Sequence, residues 1–238
     1  MNYYILDLNT DTKTVGSAPW GPLELNEPLG LRSILEYGNG LPSSAEFRLK
    51  GNSRLTDYTY CMHLNNVNFF IISPKMRSVL ERFNLQKHIW ADCKIFRKDS
   101  KWEYSMLRFI EFRDRNGYVQ VAIPDMIDFS NSVFCESDFC GFPLTGNEPI
   151  VQIDSYEDYL EVWDEFRKRS ANLELRFVKL SFNESYLVRN KIDMCWLFPL
   201  HSNPLISERL KDTLIKNDIT GLNLMNVNDY PTREFKLW

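Results

Sequence analysis

Phe69-Phe70-Ile71-Ile72-Ser73-Pro74-Lys75-Met76-Arg77-Ser78-Val79-Leu80 carries the sharpest structural signal in the chain. Its first four residues are apolar and β-prone. Ser73 suits a helix N-cap, because its hydroxyl can accept an otherwise orphaned N–H of the first turn. Pro74 suits the first helical position, where a missing N–H is harmless. Met76, Val79, Leu80 and Phe83 then recur at helical spacing, and Asn84 can end the helix. The pattern returns at Ile206-Ser207-Glu208-Arg209-Leu210-Lys211-Asp212-Thr213-Leu214, which aligns on Ile72–Leu80 without a gap and stays in register to Leu85 over Ile219. Capping rules alone favour such an echo, so it is compatible both with a repeat and with two independent helices.

Further elements extend from these anchors. Lys94–Arg97 and Glu103–Phe112 read as strands, the second with Tyr104, Met106 and Arg108 on one face and Leu107 and Phe109 on the other. Asn116-Gly117 is a hairpin signal, with Tyr118–Ile123 as the returning strand. Ser155 caps a helix whose stripe is Tyr156, Tyr159, Leu160, Trp163 and Phe166, and Trp163 is expected to be buried. Leu173–Phe182, Cys195–Phe198, Leu222–Val227 and Tyr3–Leu8 complete the expected strands. Gly16–Ser53 reads as loop, with a short helix near Leu31–Glu36. The expected fold is α+β, a mostly antiparallel sheet with about three amphipathic helices. Residues 1–238 read as a single domain, with an internal pseudo-repeat over 69–112 and 173–227 as two similar strand-helix-strand units in one core.

Composition narrows the function classes. Aromatic residues make up 14% of the chain, enough large side chains for a sizeable core. No stretch approaches the roughly 20 apolar residues of a membrane span, and the N-terminus lacks a signal-peptide pattern, so a cytoplasmic protein is expected. The five cysteines are odd in number and widely spaced, which favours reduced thiols. With three scattered histidines they suggest no metal site, and no cofactor motif occurs. Cys61 and His63 are the only local Cys/His pairing and would share one side of a strand. A thiol hydrolase using them is the enzymatic alternative, although two core residues explain the pair as well.

Charge is the informative feature. Between Arg115 and Arg167 lie 51 residues without Lys or Arg but with eleven acids. That stretch carries −11, and since the whole chain carries −4 the remainder carries +7. Its Glu136, Asp138, Asp154, Glu157, Asp158, Glu161, Asp164 and Glu165 are the candidate partner-binding residues. Glu157–Glu161 and Glu161–Glu165 are like-charge i,i+4 pairs, each destabilising an isolated helix by about 0.2–0.5 kcal/mol. A solvated helix face explains such a stripe without any partner. The functional reading is an acidic surface that steers and binds a basic protein. Nucleic acid is disfavoured there, because phosphate contacts need Lys and Arg. A scaffold module whose basic remainder touches nucleic acid is a further alternative.

The last third holds a recognisable arrangement: Asp193-Met194-Cys195-Trp196, then Ile206-Ser207-Glu208-Arg209-Leu210-Lys211, then Ile219-Thr220-Gly221. With Asp128-Phe129-Ser130-Asn131-Ser132 further upstream, it resembles the signature of an immunity-protein family from bacterial polymorphic toxin systems. The likeness runs from Ile127 to Val227 and more weakly over Ser73–Phe112. It departs at Leu224-Met225, where the family pattern ends its last strand with Phe. Asp193, Trp196, Ser207, Glu208, Leu210 and Gly221 match its motif, and their implied role is structural. The resemblance implies a non-enzymatic antidote that neutralises a cognate toxin, a basic protein, by binding it.

Overall fold

In the computed structural model the residues described are 2–9, 11–16, 22–25, 44–59, 61, 69–110, 112–113, 119–121, 123–138, 147–170, 173–197 and 203–229. The fold is α+β and mostly antiparallel. Its strands are β1 (Tyr3–Leu8), β2 (Leu23–Leu25), β3 (Ser44–Leu49), β4 (Tyr58–Thr59), β5 (Phe69–Ile72), β6 (His88–Arg97), β7 (Ser100–Phe109), β8 (Phe112–Arg113), β9 (Val119–Gln120), β10 (Val133–Asp138), β11 (Ile150–Val151), β12 (Leu173–Lys179), β13 (Met194–Cys195), β14 (Leu205–Ser207) and β15 (Leu222–Asn226). Its helices are α1 (Thr12–Val15), α2 (Pro74–Leu80), α3 (Tyr156–Arg169), α4 (Glu184–Asn190) and α5 (Glu208–Lys216).

Six strands in the order β2-β3-β6-β7-β5-β4 form a curled sheet, antiparallel except for the β3–β6 pair. A bridge between Leu23 and Cys61 ties its first strand to the end beyond its last, which draws the two edges together. The enclosed face is apolar and tightly filled: Leu23, Phe47, Leu49, Cys61, Ile71, Cys93, Ile95 and Met106 are buried there. The opposite faces of β5 and β7 supply Ile72, Leu107 and Phe109 to a second core, together with α2 and α5. Alternation along these strands is what lets one sheet wall serve two cores.

A four-stranded sheet, β13-β14-β1-β15, lies between this second core and a third. In β1, Tyr3 and Ile5 face the third core and Leu6 faces the second. Cys195 and Leu197 against Met194 and Trp196 repeat that division. Strands apolar on both faces are what a middle layer requires, which explains the near-continuous apolar run Tyr3–Leu6. The third core is closed by the β11-β10-β12 sheet and by α3 and α4, with Phe134, Tyr159, Phe166, Leu175, Phe177 and Leu187 inside.

Two sets of four strands share one connectivity. In β4-β5-β7-β6 and in β13-β14-β1-β15, the second strand runs into a capped helix and the chain returns as the fourth strand. Tyr58 pairs with Ile72 as Met194 pairs with Ile206. The third strand is β7 in the first set and the chain's own β1 in the second. These pairings begin at 58 and 194, while residues 173–190 belong elsewhere: β12 pairs with β10, and α4 caps the third core.

Several expectations need correction. The loop assigned to Gly16–Ser53 contains β2 and β3, short strands whose pattern is broken by the surrounding Gly, Pro and Asn; the helix expected near Leu31–Glu36 lies outside the described residues. Trp163 is half-buried rather than buried, its indole covered by the Arg167 guanidinium 4.8 Å from the ring centroid. The strand expected from Lys94 begins six residues earlier at His88, and the helix after Ser73 ends at Leu80. Helix α4 was not expected. Its seven residues place a single fully buried side chain, Leu187, which is too little for a periodic signal.

Candidate functional site

Helix α3 is built to hold its acidic side outward. The Ser155 hydroxyl accepts from the Asp158 N–H at 3.1 Å, and the Asp158 carboxylate accepts from the Asp154 N–H at 3.3 Å. This reciprocal cap fixes the first turn. Tyr159 and Phe166 are buried, and Tyr156, Leu160, Val162 and Trp163 are partly buried against the third core. The faces left over carry Glu157, Glu161 and Glu165, all exposed and spaced by four, so they form one row along the helix. Among the described residues none of the three has an ion-pair partner.

The rest of the expected acidic set is dispersed by local chemistry. Glu136, half-buried on β10, is held by both Nη atoms of Arg169, at 2.9 and 3.1 Å. Asp164 pairs with Lys168 at 2.5 Å, one turn along the same helix. Asp158 is engaged in the cap, and exposed Asp154 accepts from the Gln152 side-chain amide at 2.6 Å. The side chain of Asp138 lies outside the described residues. The candidate surface therefore narrows from eight residues to the Glu157–Glu161–Glu165 row, with Asp154 at its N-terminal end. Arg167, Lys168 and Arg169 bound it at the C-terminal end, where they complement the helix dipole. Upstream, Asp128 caps a 3-10 turn, and hydrogen bonds from Asn131 and Ser130 hold its carboxyl below the usual carboxylate range.

The motif residues have structural work. Asp193 is 2% exposed, and its carboxylate accepts from the Ser207 hydroxyl (2.8 Å), the Asn84 N–H (3.0 Å) and two nitrogens of Arg209 (3.2 and 2.5 Å). That contact also holds the Arg209 guanidinium above its ordinary pKa. Ser207 caps α5, accepting from the Leu210 N–H at 3.2 Å, and Leu210 is fully buried. Buried Trp196 donates its backbone N–H to Gln86 Oε1 at 2.8 Å. Glu208 accepts from the Tyr4 hydroxyl at 3.2 Å. Gly221 has φ +85°, and a Cβ there would stand 2.1 Å from the Tyr58 carbonyl oxygen. Asp193, Trp196 and Gly221 meet the first strand set at Asn84, Gln86 and Tyr58, Leu210 lies in the core that the two sets share, and Ser207 and Glu208 act within the second set.

Sequence reading missed Asp57, the counterpart of Asp193 in the first set, because two extra residues separate it from its serine. Allowing that shift would have aligned Asp57-Tyr58 and Ser73 with Asp193-Met194 and Ser207.

Cys61 is 1% exposed inside the curled sheet, and His63 lies outside the described residues. Burial pushes the Cys135 thiol up to about 11 and the Cys93 thiol up to about 12, and raises Cys195 further. Among the described residues no group of three or more His, Cys, Asp or Glu side chains is placed to hold a metal ion. No described helix is long and apolar enough to cross a membrane. The chain matches no protein-family model and no curated protein.

Proposed function

We propose that the chain is a non-enzymatic immunity protein that binds and blocks a basic bacterial toxin through the outer face of α3. The observation that carries this reading is the row Glu157, Glu161 and Glu165: three exposed carboxylates with no ion-pair partner among the described residues. Keeping like charges in register on one helix costs the free protein stability, and a cationic partner would relieve that repulsion. The row lies within the 51 residues that hold no Lys or Arg, and its three carboxylates, unpaired among the described residues, would supply the attraction toward a basic protein. The resemblance of the 193–221 motif to immunity proteins supports the same class independently of charge.

The test is co-expression with the product of the adjacent gene. Rescue of growth and co-elution of the purified pair are expected. Reversal of Glu157, Glu161 and Glu165 to Lys should weaken binding at least tenfold, chiefly by slowing association, and the wild-type association rate should fall as salt rises. Full affinity in the triple variant would remove α3 as the contact surface.

A further inference from the structure

Two carboxylates connect the strand sets in a crossed pattern. Asp57 stands immediately before β4, and its Oδ1 accepts from the Ser73 hydroxyl at 2.5 Å while the Ser73 N–H donates to the Asp57 carbonyl at 2.8 Å. Asp193 stands immediately before β13, and its Oδ1 accepts from the Ser207 hydroxyl at 2.8 Å while the Ser207 N–H donates to the Asp193 carbonyl at 2.8 Å. Each serine is also the N-cap of its own helix, accepting from Met76 N–H at 3.1 Å or Leu210 N–H at 3.2 Å.

The second oxygen of each carboxylate crosses over. Asp57 Oδ2 accepts from both the N–H and the hydroxyl of Thr220, each at 2.9 Å, where the chain leaves α5. Asp193 Oδ2 accepts from the Asn84 N–H at 3.0 Å, where the chain leaves α2. Backbone bonds follow the same crossing. Tyr58 N–H donates to the Thr220 carbonyl at 3.0 Å, and Asp193 N–H donates to the Asn84 carbonyl at 2.7 Å.

We propose that Asp57 and Asp193 form a reciprocal pair of clasps, a conformational device in which each lobe holds the start of its own helix and the exit of the other's. The lobes are β4-β5-α2 with β6 and β7, and β13-β14-α5 with β1 and β15. A carboxylate is planar and rigid, so displacing the donor at one oxygen reorients the other. Charge-assisted bonds to backbone N–H groups are the strong kind; the Asn84–Asp193 and Ser73–Asp57 bonds are part-buried, whereas the Thr220–Asp57 bonds are exposed to water. Opening of either helix exit therefore loosens the cap across the joint. The two clasps are not equal: Asp193 is 2% exposed and reinforced by Arg209, whereas Asp57 is half-buried and holds only neutral donors. The Asp57–Thr220 side is the one that opens first.

Site-resolved hydrogen exchange on the full chain tests this. In Asp57→Asn the Thr220 amide, 163 residues away, should exchange roughly ten- to a hundredfold faster, along with the Met76 amide. Thr220→Val leaves the Asp57 and Ser73 side chains in place but removes the hydroxyl that donates to Asp57 Oδ2 at 2.9 Å and accepts from the Asp57 N–H at 3.0 Å. There the Met76 amide, which bonds the Ser73 cap across the joint, should exchange about tenfold faster along with the Asp57 amide. Acceleration confined to the mutated lobe in either variant would overturn the proposal. If Asp57→Asn does not fold, Thr220→Val decides alone.

Discussion

Gly221→Ala and Gly51→Ala form a matched pair that separates backbone strain from the joint between the lobes. Both glycines have positive φ, +85° and +36°, so a new side chain meets the left-handed penalty at either site, about 1 kcal/mol. Their surroundings differ. Nothing lies within 4 Å of a Cβ added at Gly51, whereas at Gly221 it would meet the Tyr58 carbonyl oxygen at 2.1 Å and Thr56 Oγ1 at 2.7 Å. An ordinary contact begins near 3.4 Å, so the 220–222 segment or the 56–58 segment must retreat by more than 1 Å. That retreat would stretch the Tyr58 N–H to Thr220 carbonyl bond, now 3.0 Å, and the Thr220 contacts to Asp57. Overpacking of this kind costs about 1–3 kcal/mol, and loss of one hydrogen bond adds about 1 kcal/mol. Urea unfolding followed by tryptophan fluorescence should therefore place Gly221→Ala about 2–4 kcal/mol below Gly51→Ala at unchanged m. Equal destabilisation of the two variants would refute the close approach at Gly221.

Three further outcomes follow from the same contacts. Asp193→Ala strands the part-buried Asn84 N–H and the buried Ser207 hydroxyl and should destabilise by about 2–5 kcal/mol in urea, and Arg209→Ala, which leaves the buried Asp193 carboxylate without its counter-charge, should cost about 1–3 kcal/mol. Glu161→Gln removes both like-charge pairs at once and should raise the melting temperature at low salt, by an amount worth about 0.4–1 kcal/mol that fades at 1 M salt; a lowered melting temperature would contradict the exposed row. Burial holds the Cys135 and Cys93 thiols near 11 and 12 against an ordinary value of 9.0, so above that value the unfolded chain loses protons that the folded one keeps. Stability should fall progressively from pH about 9 towards 12, read as a declining urea midpoint, and a flat midpoint across that range would contradict the burial of these thiols.

Local chemistry made much of the fold legible before the structure. A serine followed by an apolar 3.6-residue period is readable because the cap and the stripe are set within ten residues, which is why α2, α3 and α5 are where Ser73, Ser155 and Ser207 put them. The α+β class and the outward Glu157–Glu161–Glu165 row follow from the same periodicity. What each carboxylate touches could not be read that way. Glu136 and Asp158 belong to the same acidic stretch as Glu161, yet Arg169 takes the first, the helix start takes the second and solvent takes the third. The insertion of β1 between β14 and β15, the curl that brings Leu23 to Cys61, and the crossing of Asp57 and Asp193 join residues far apart in the chain. Such partners are chosen by which apolar faces must be covered and which buried donors must be met, and only the folded chain, with all its layers present, decides both.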